Sequence, residues 1–132
     1  MGPICYCDVL RAATRKTTAF YDAALAPAGV NVAQFGLMRK IERAGSVSLS
    51  ELGRLAALDR STIGRNIKVL QRMTLVRVTP GEDHREATVT LDRRGAAVLR
   101  EAAPLWDEAQ RRIEARFGED GAAQLQTLLA AL

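Results

Sequence analysis

The chain has 132 residues, 48% of them apolar and 26% charged, which is an ordinary composition for a globular protein with its own core. The formal net charge is +4, from 19 lysines and arginines against 15 acidic residues. No apolar run approaches the roughly 18 residues of a membrane span, and the first residues lack the charged and apolar regions of a signal peptide. We therefore exclude a membrane protein and expect one single unit, residues 1–132, located in the cytoplasm.

The first part of the chain is predicted to be helical. Apolar side chains at three- and four-residue spacing predict a helix from about Cys5 to Ala26, which Pro27-Ala28-Gly29 ends. Asn31 can cap a second helix that closes at Ala44-Gly45. Two helices are therefore expected before residue 46.

A third, shorter helix is predicted after these two. The run Ser48-Leu49-Ser50-Glu51 has the spacing of a capping box, in which the first and last side chains each accept a backbone N–H of the other residue. Leu52 and Leu55 are expected to face inward from this helix.

The next segment predicts an amphipathic helix with two opposed faces. Asp59 is a good N-cap, and Ile63, Ile67 and Leu70 fall within one narrow arc at about 100° per residue. Almost diametrically opposite lies a polar and cationic stripe: Ser61, Arg65, Lys68 and Arg72. A helix of this kind, following a shorter helix, is typical of the second helix of a helix-turn-helix.

The positive charge of the chain is concentrated around this helix. Residues 60–85 contain six arginines and lysines against two acidic residues, so this segment alone accounts for the net charge of +4. Clustered charge favours a polyanionic partner because neutralised phosphates release counterions; a solvated basic face without a partner is the alternative. Ser61 and Thr62, in the first turn, place hydroxyl and N–H groups within reach of a phosphate or a base edge.

Two short runs after the basic helix predict a β-hairpin. Residues 75–79 and the strictly alternating residues 87–91 flank a connector rich in turn formers, Pro80 to Arg85. Packed beside a helix-turn-helix, such a hairpin is a wing with a charged tip.

The last part of the chain predicts a long helix opened by Asp92, with Pro104 as a bend and a break over residues 118–121. Six side chains share one face: Leu99, Ala103, Trp106, Ala109, Ile113 and Phe117. Beyond the break, leucines recur at i, i+3, i+4 and i+7: Leu125, Leu128, Leu129 and Leu132. Apolar stripes at both chain ends exceed what one small lobe buries, which favours a homodimer interface built from the first and last helices.

Four short motifs lie at matching places along these elements: Gln34-Phe35, Leu49-Ser50-Glu51-Leu52, Leu58-Asp59-Arg60-Ser61-Thr62, and Asp83-His84-Arg85 leading into Val89-Thr90-Leu91 and Gly95. Their order and spacing resemble the multiple-antibiotic-resistance regulator (MarR) family of winged helix-turn-helix repressors. The resemblance implies a mainly α-helical fold with a small β-hairpin wing. It further implies a DNA-binding lobe, residues 31–91, and dimerisation helices within residues 1–30 and 92–132.

The function implied by the resemblance is a dimeric, sequence-specific transcription regulator, a repressor relieved by a small-molecule ligand or by thiol oxidation. Its partner would be double-stranded DNA with a pseudo-palindromic operator. The helix from Arg60 to Met73 would enter the major groove, and Arg85 would reach the adjacent minor groove. The DNA-binding residues that follow are Arg60, Ser61, Thr62, Arg65, Asn66, Lys68, Asp83 and Arg85.

Some of these roles have alternatives. Arg60 either contacts phosphate from the edge of the stripe or pairs with an acid. Asp83 either holds Arg85 in a fixed direction or forms an ordinary exposed ion pair. Arg77 is either a wing contact or a surface residue.

The predicted fold is also compatible with another function. A winged helix can also serve as an architectural or protein-interaction module without sequence-specific regulation. The sequence contains no paired carboxylates in helical or strand context, no Ser/His/Asp set and no phosphate-binding glycine loop, so we predict neither an enzyme nor a cofactor. A metal site is not expected either, because the single histidine, His84, belongs to the wing.

The resemblance also implies a site for a small, commonly aromatic acid between the dimerisation helices and the DNA-binding lobe. Candidate lining residues are Arg11, Arg15 and Met38. Core packing explains Met38 equally well, and surface exposure explains the arginines.

The cysteines offer a second kind of signal. Cys7 falls where the organic-hydroperoxide-sensing branch of the family carries its reactive cysteine. Tyr21 matches a tyrosine that, in that branch, donates a hydrogen bond to this thiolate across the dimer. Val32 and Arg11 stand where that branch has further tyrosines. Cys5 and Cys7 are therefore either a redox sensor or small hydrophobic side chains packed in an N-terminal contact, and no structural disulfide within one chain is expected.

Overall fold

The computed structural model describes residues 2–132; Met1, with which the predicted unit begins, lies outside them. In this part of the chain there are five α-helices and three short strands. In chain order they are α1 (Tyr6–Leu25), α2 (Val32–Ala44), β1 (Val47–Ser48), α3 (Leu49–Ala56), α4 (Arg60–Arg72), β2 (Val76–Thr79), β3 (Thr88–Leu91) and α5 (Arg93–Ala130). This is the mainly α-helical fold with a hairpin wing that the sequence predicts. Within residues 2–132 no helix combines the length and apolar character needed to cross a membrane.

The helices begin where side-chain caps satisfy free backbone N–H groups. Asn31 accepts from the Gln34 N–H at 2.8 Å and the Gln34 side chain accepts from the Asn31 N–H at 3.0 Å, a complete capping box. Ser48 likewise accepts from the Glu51 N–H at 3.2 Å. The Glu51 carboxylate, however, accepts from Arg54 at 2.5 and 2.8 Å. The capping box predicted at the start of α3 is therefore half formed, because an arginine one turn on competes for the carboxylate.

One apolar core joins α2, α3, α4, the sheet and the first half of α5. Its largest fully buried side chains are Leu25, Met38, Ile41, Leu52, Ile63, Leu70, Leu75 and Val89. The inward face predicted for α4 is confirmed, since Ile63, Ile67 and Leu70 are all buried. Leu55 corrects the prediction for α3: it is 42% exposed, at the last turn of a helix that ends at Ala56.

The sheet has three antiparallel strands in the order β1-β3-β2. The predicted hairpin of β2 and β3 is confirmed, with Val76 opposite Leu91 and Thr79 opposite Thr88. The sequence did not predict β1, whose Val47 pairs with Val89, because two residues are too few to show a period. This short strand leads directly into α3 and so ties the helix-turn-helix to the wing.

The long helix α5 begins as predicted, with Asp92 accepting from the Arg93 N–H at 2.7 Å. Along α5, non-helical backbone dihedrals occur at Gly118 (φ 78°, ψ 167°), within the predicted break, whereas Pro104 stays helical. Glycine adopts positive φ without a Cβ clash, so a sharp change of direction is cheapest there. Leu132, the last residue of the predicted leucine stripe, lies beyond the end of α5.

Both ends of the chain carry exposed apolar side chains. In the first turns of α1, Tyr6 is 77% and Val9 50% exposed, and beyond Gly118 the exposed fractions are 69% for Leu128 and 44% for Leu129. This is the apolar surplus from which the sequence predicts a homodimer.

Candidate nucleic-acid interface

The outward face of α4 carries exposed basic side chains. Burial of Ile63, Ile67 and Leu70 fixes the rotation of the helix, and the opposite stripe is therefore directed to solvent. Thr62 and Asn66 are half-buried at its border. Four predicted site residues are exposed on the helix: Arg60, Ser61, Arg65 and Lys68.

Arg65 is held in place by its own helix. One guanidinium nitrogen donates to the Ser61 hydroxyl at 2.7 Å, and the other lies 3.4 Å from the Thr62 hydroxyl. These residues are one turn earlier, so the guanidinium extends along the first turn of α4. A side chain already restricted in this way loses less rotamer freedom when it binds a partner.

Asp59 stabilises the start of α4. Its carboxylate accepts from the Thr62 N–H at 2.7 Å, as predicted for the N-cap. The bond from this backbone N–H is the main reason that the pKa of the Asp59 carboxyl is lowered, and the Thr62 hydroxyl and the Arg65 charge act in the same direction. Above its pKa this carboxylate therefore favours the folded helix.

Arg60 pairs with an acid, the second of the two roles considered for it. Its Nη1 lies 3.2 Å from Oε1 of Glu86, to which the Ser50 hydroxyl also donates a hydrogen bond. Arg77 is a surface residue whose guanidinium lies 3.6 Å from Asp92. Glu86 was not among the predicted site residues, because its partners are 26 and 36 residues away.

The wing tip corrects the predicted pairing of Asp83 with Arg85. Within residues 2–132 the ion pairs do not include these two side chains. The backbone is left-handed at Asp83 (φ 49°) and His84 (φ 66°), and the Arg85 N–H donates to the Glu82 carbonyl at 2.9 Å. Such a turn removes the extended geometry in which side chains two residues apart share one face. Arg85 is exposed at the tip beside this turn.

The two cysteines lie at the start of α1. Cys5 and Cys7 are unpaired and exposed, so neither is packed within its own chain. The first turns of α1 extend past the core, so packing of these thiols in a contact with a second copy stays a prediction. Among the described residues no three histidine, cysteine or acidic side chains lie close enough to hold a metal ion.

Tyr21 lies far along α1 from Cys7, about 21 Å at the helical rise. Its hydroxyl donates to the side-chain oxygen of Gln110, so it has a partner within its own chain. Burial raises the pKa of this hydroxyl, and the Glu114 carboxylate raises it further. Tyr21 therefore links α1 to α5, a contact that the sequence did not predict.

A cleft of about 270 Å³ lies between α2 and α5. Arg39 crosses it, with its guanidinium carbon 4.8 Å from the ring centre of Trp106 and 5.5 Å from that of Phe35. The other residues that line the cleft are Glu42, Leu99, Arg100, Ala103 and Asp107. The predicted lining was wrong for Met38, which is fully buried in the core, while Arg11 and Arg15 lie on the exposed part of α1.

Comparison with known proteins places this geometry in a family. A model of the MarR family matches residues 28–86. The transcriptional regulator MosR of M. tuberculosis, crystallised with DNA, is 34% identical, with a TM-score of 0.80 over 97% of this chain and 98% of that chain. A probable transcriptional regulator from Pseudomonas aeruginosa is 25% identical, with a TM-score of 0.84 over 93% of this chain and 92% of that chain.

A mutant of E. coli MarR complexed with operator DNA shares the fold at 22% identity, with a TM-score of 0.86 over 94% of this chain and 90% of that chain. No match was found among curated proteins. The MosR likeness spans nearly the whole of both chains, and the family model covers the helix-turn-helix and most of the wing loop. The chain therefore belongs to the MarR family.

Proposed function

We propose that the chain is a dimeric, sequence-specific DNA-binding transcription regulator that acts as a repressor. The observation that carries this proposal is the outward face of α4, on which Arg65 is held by Ser61 and Thr62. MosR and E. coli MarR, which share the fold, were crystallised with DNA. The activity proposed is binding of double-stranded DNA, and no catalytic step is assigned to the chain.

The proposed contacts divide into two kinds. Arg65 donates two hydrogen bonds to a guanine in the major groove, and Lys68 neutralises a phosphate. Arg85, exposed at the wing tip, enters the minor groove, whose negative potential is enhanced where the groove is narrow. The remaining members of the site lie around these three: Arg60, Ser61, Thr62, Asn66 and Asp83.

We further propose that residues 31–91 form the DNA-binding lobe and that residues 1–30 and 92–132 hold two copies together. α1 and α5 already pack on each other through Tyr21 and Gln110, and Arg112 lies 5.0 Å over the Phe20 ring. Their far ends leave apolar side chains exposed, which a second copy would bury. Two linked lobes would then meet half-sites about one helical turn apart.

Two features are suited to receive the signal that releases DNA. The cleft crossed by Arg39 offers a cation over the faces of the stacked Trp106 and Phe35 rings, which fits a small aromatic acid. The free thiols of Cys5 and Cys7, exposed in the single chain, lie at the end of α1 that a second copy would meet, and their oxidation would alter that contact. We propose that operator binding is weakened either by a ligand bound in this cleft or by oxidation of these thiols.

Selection of a preferred duplex from a randomised library, followed by titration, tests sequence specificity. The selected duplex and a scrambled duplex of the same composition are titrated at one salt concentration. A specific regulator binds the selected duplex at least about 10³-fold more tightly. Equal affinity for both would favour the architectural module instead.

A further inference from the structure

Glu86 lies where the wing meets the helix-turn-helix, just before β3. One of its carboxylate oxygens is 3.2 Å from the Arg60 guanidinium and accepts a hydrogen bond from the Ser50 hydroxyl. Ser50 belongs to the first turn of α3, and Arg60 is the first residue of α4. A single carboxylate therefore joins the starts of both helices to the wing.

This is the environment in which a phosphate of DNA would bind. Helix N-termini carry partial positive charge and favour anions, and arginine and serine are common donors to phosphate oxygens. The Arg60 side chain is 75% exposed and that of Glu86 is 32% exposed, so the ion pair is open to an incoming strand. Exposed pairs of this kind contribute little stability, and breaking one costs little.

We propose that Glu86 is an intramolecular stand-in for a DNA phosphate, which holds Arg60 in the free protein and is exchanged for a backbone phosphate on binding. This inference rests on the proposed DNA binding. Glu86 then acts against every duplex, matched or not, because it occupies a cation and adds a negative charge beside the DNA. Its effect is to limit the electrostatic part of the affinity, which carries most non-specific binding.

The charge of Glu86 can be removed while its shape is kept. Glu86→Gln retains an oxygen that can accept from Ser50 and Arg60. Competition predicts that this variant binds selected and scrambled duplexes alike about threefold to tenfold more tightly at low salt. The plot of log affinity against log salt concentration should also steepen by about one unit, because the carboxylate charge that offsets one cation beside the DNA is gone.

Two further variants separate competition at Arg60 from a general change of charge. Glu82→Gln removes the same charge from the wing, and the Glu82 side chain does not pair with Arg60 in the described chain. Its smaller gain in affinity should not depend on Arg60. When Arg60 is replaced by alanine, Glu86→Gln should increase the affinity for DNA no more than Glu82→Gln does.

The outcomes are distinct. If Glu86→Gln binds no more tightly than Glu82→Gln, or if its full gain persists without Arg60, the competition is refuted while the proposed DNA binding stands. If the unsubstituted protein binds no duplex, the proposed function fails and this inference fails with it. Weaker binding by Glu86→Gln would assign Glu86 a supporting role in the wing and also refute the competition.

Discussion

The middle of the chain and its two ends differ in the kind of surface that they leave exposed. Between β1 and β3 the large apolar side chains other than Leu55 are buried or half-buried, and the exposed surplus is positive charge. In the first turns of α1 and beyond Gly118 the surplus is apolar, with Val9 50% and Leu128 69% exposed. Each kind of surplus requires its own partner: a polyanion for the middle, and an apolar surface for the ends. Assembly and DNA binding should therefore be separable by substitution.

The largest effect is expected from removal of residues 122–132. Without Leu125, Leu128 and Leu129 the chain should sediment as a monomer, because most of the apolar surface beyond Gly118 is gone. Affinity for the selected duplex should fall at least about 100-fold, since the second lobe no longer binds as part of the same particle.

The matched control for this truncation ends at Ala130 and removes the two residues beyond α5. It should remain dimeric with unchanged affinity. A chain truncated after Gly121 that stays dimeric would contradict the assignment of the terminal leucines to the interface and would indicate that they pack within their own chain.

The second-largest loss of DNA affinity is expected from substitutions on the basic face of α4. Arg65→Ala and Lys68→Ala should show different patterns of loss. If Arg65 binds guanine, its loss costs about 1–3 kcal/mol and relaxes specificity at one base position of each half-site. Lys68→Ala should weaken binding to all sequences alike and reduce the salt slope by about one unit. Titration of single-base variants of the selected duplex distinguishes the two patterns. A uniform loss for Arg65→Ala would assign this residue to phosphate instead.

Oxidation of Cys7 is expected to have a smaller effect on affinity. An organic hydroperoxide converts the thiol to a sulfenic acid and is itself reduced to the alcohol; the Cys5 thiol of either chain then forms a disulfide with release of water. If this is the signal, affinity for the selected duplex falls at least about fivefold and a thiol reductant restores it.

Two serine variants sharpen the oxidation experiment. Cys7→Ser should bind DNA normally and ignore the hydroperoxide, while Cys5→Ser should still respond but without the disulfide. Unchanged affinity of the unsubstituted protein, after mass spectrometry shows both thiols oxidised, would exclude the thiol signal and leave the cleft beside Arg39 as the effector site.

Local signals predicted much of the fold. The caps at Asn31 and Asp59, the break at Gly118 and the buried face of α4 each depend on residues within one or two turns, and each is found where the sequence placed it. Patterns of this range fix where helices begin, end and bury a face.

Contacts between distant residues were not predictable in this way. Arg60 meets Glu86 across 26 residues, and Tyr21 meets Gln110 across 89. Nearness in sequence was also misleading at the wing tip, where the left-handed turn at Asp83 and His84 replaces the expected ion pair. The tertiary fold selects such partners, and a single sequence does not contain that information in any periodic form.

The smallest effect concerns the stability of the middle lobe at low pH. The bond from the Thr62 N–H holds the pKa of Asp59 below its ordinary value of 3.8, which applies in the unfolded chain. The ionised cap therefore stabilises the fold fully above that ordinary value, and this stability is lost as the pH falls through the lower, folded pKa.

Asp59→Asn keeps a good N-cap that cannot titrate, so its unfolding free energy should fall less steeply over this acid range. Chemical denaturation at a series of pH values measures the slope, with Asp83→Asn at the wing tip as the control. Equal slopes for Asp59→Asn and the unsubstituted protein would show that the cap does not couple protonation to folding.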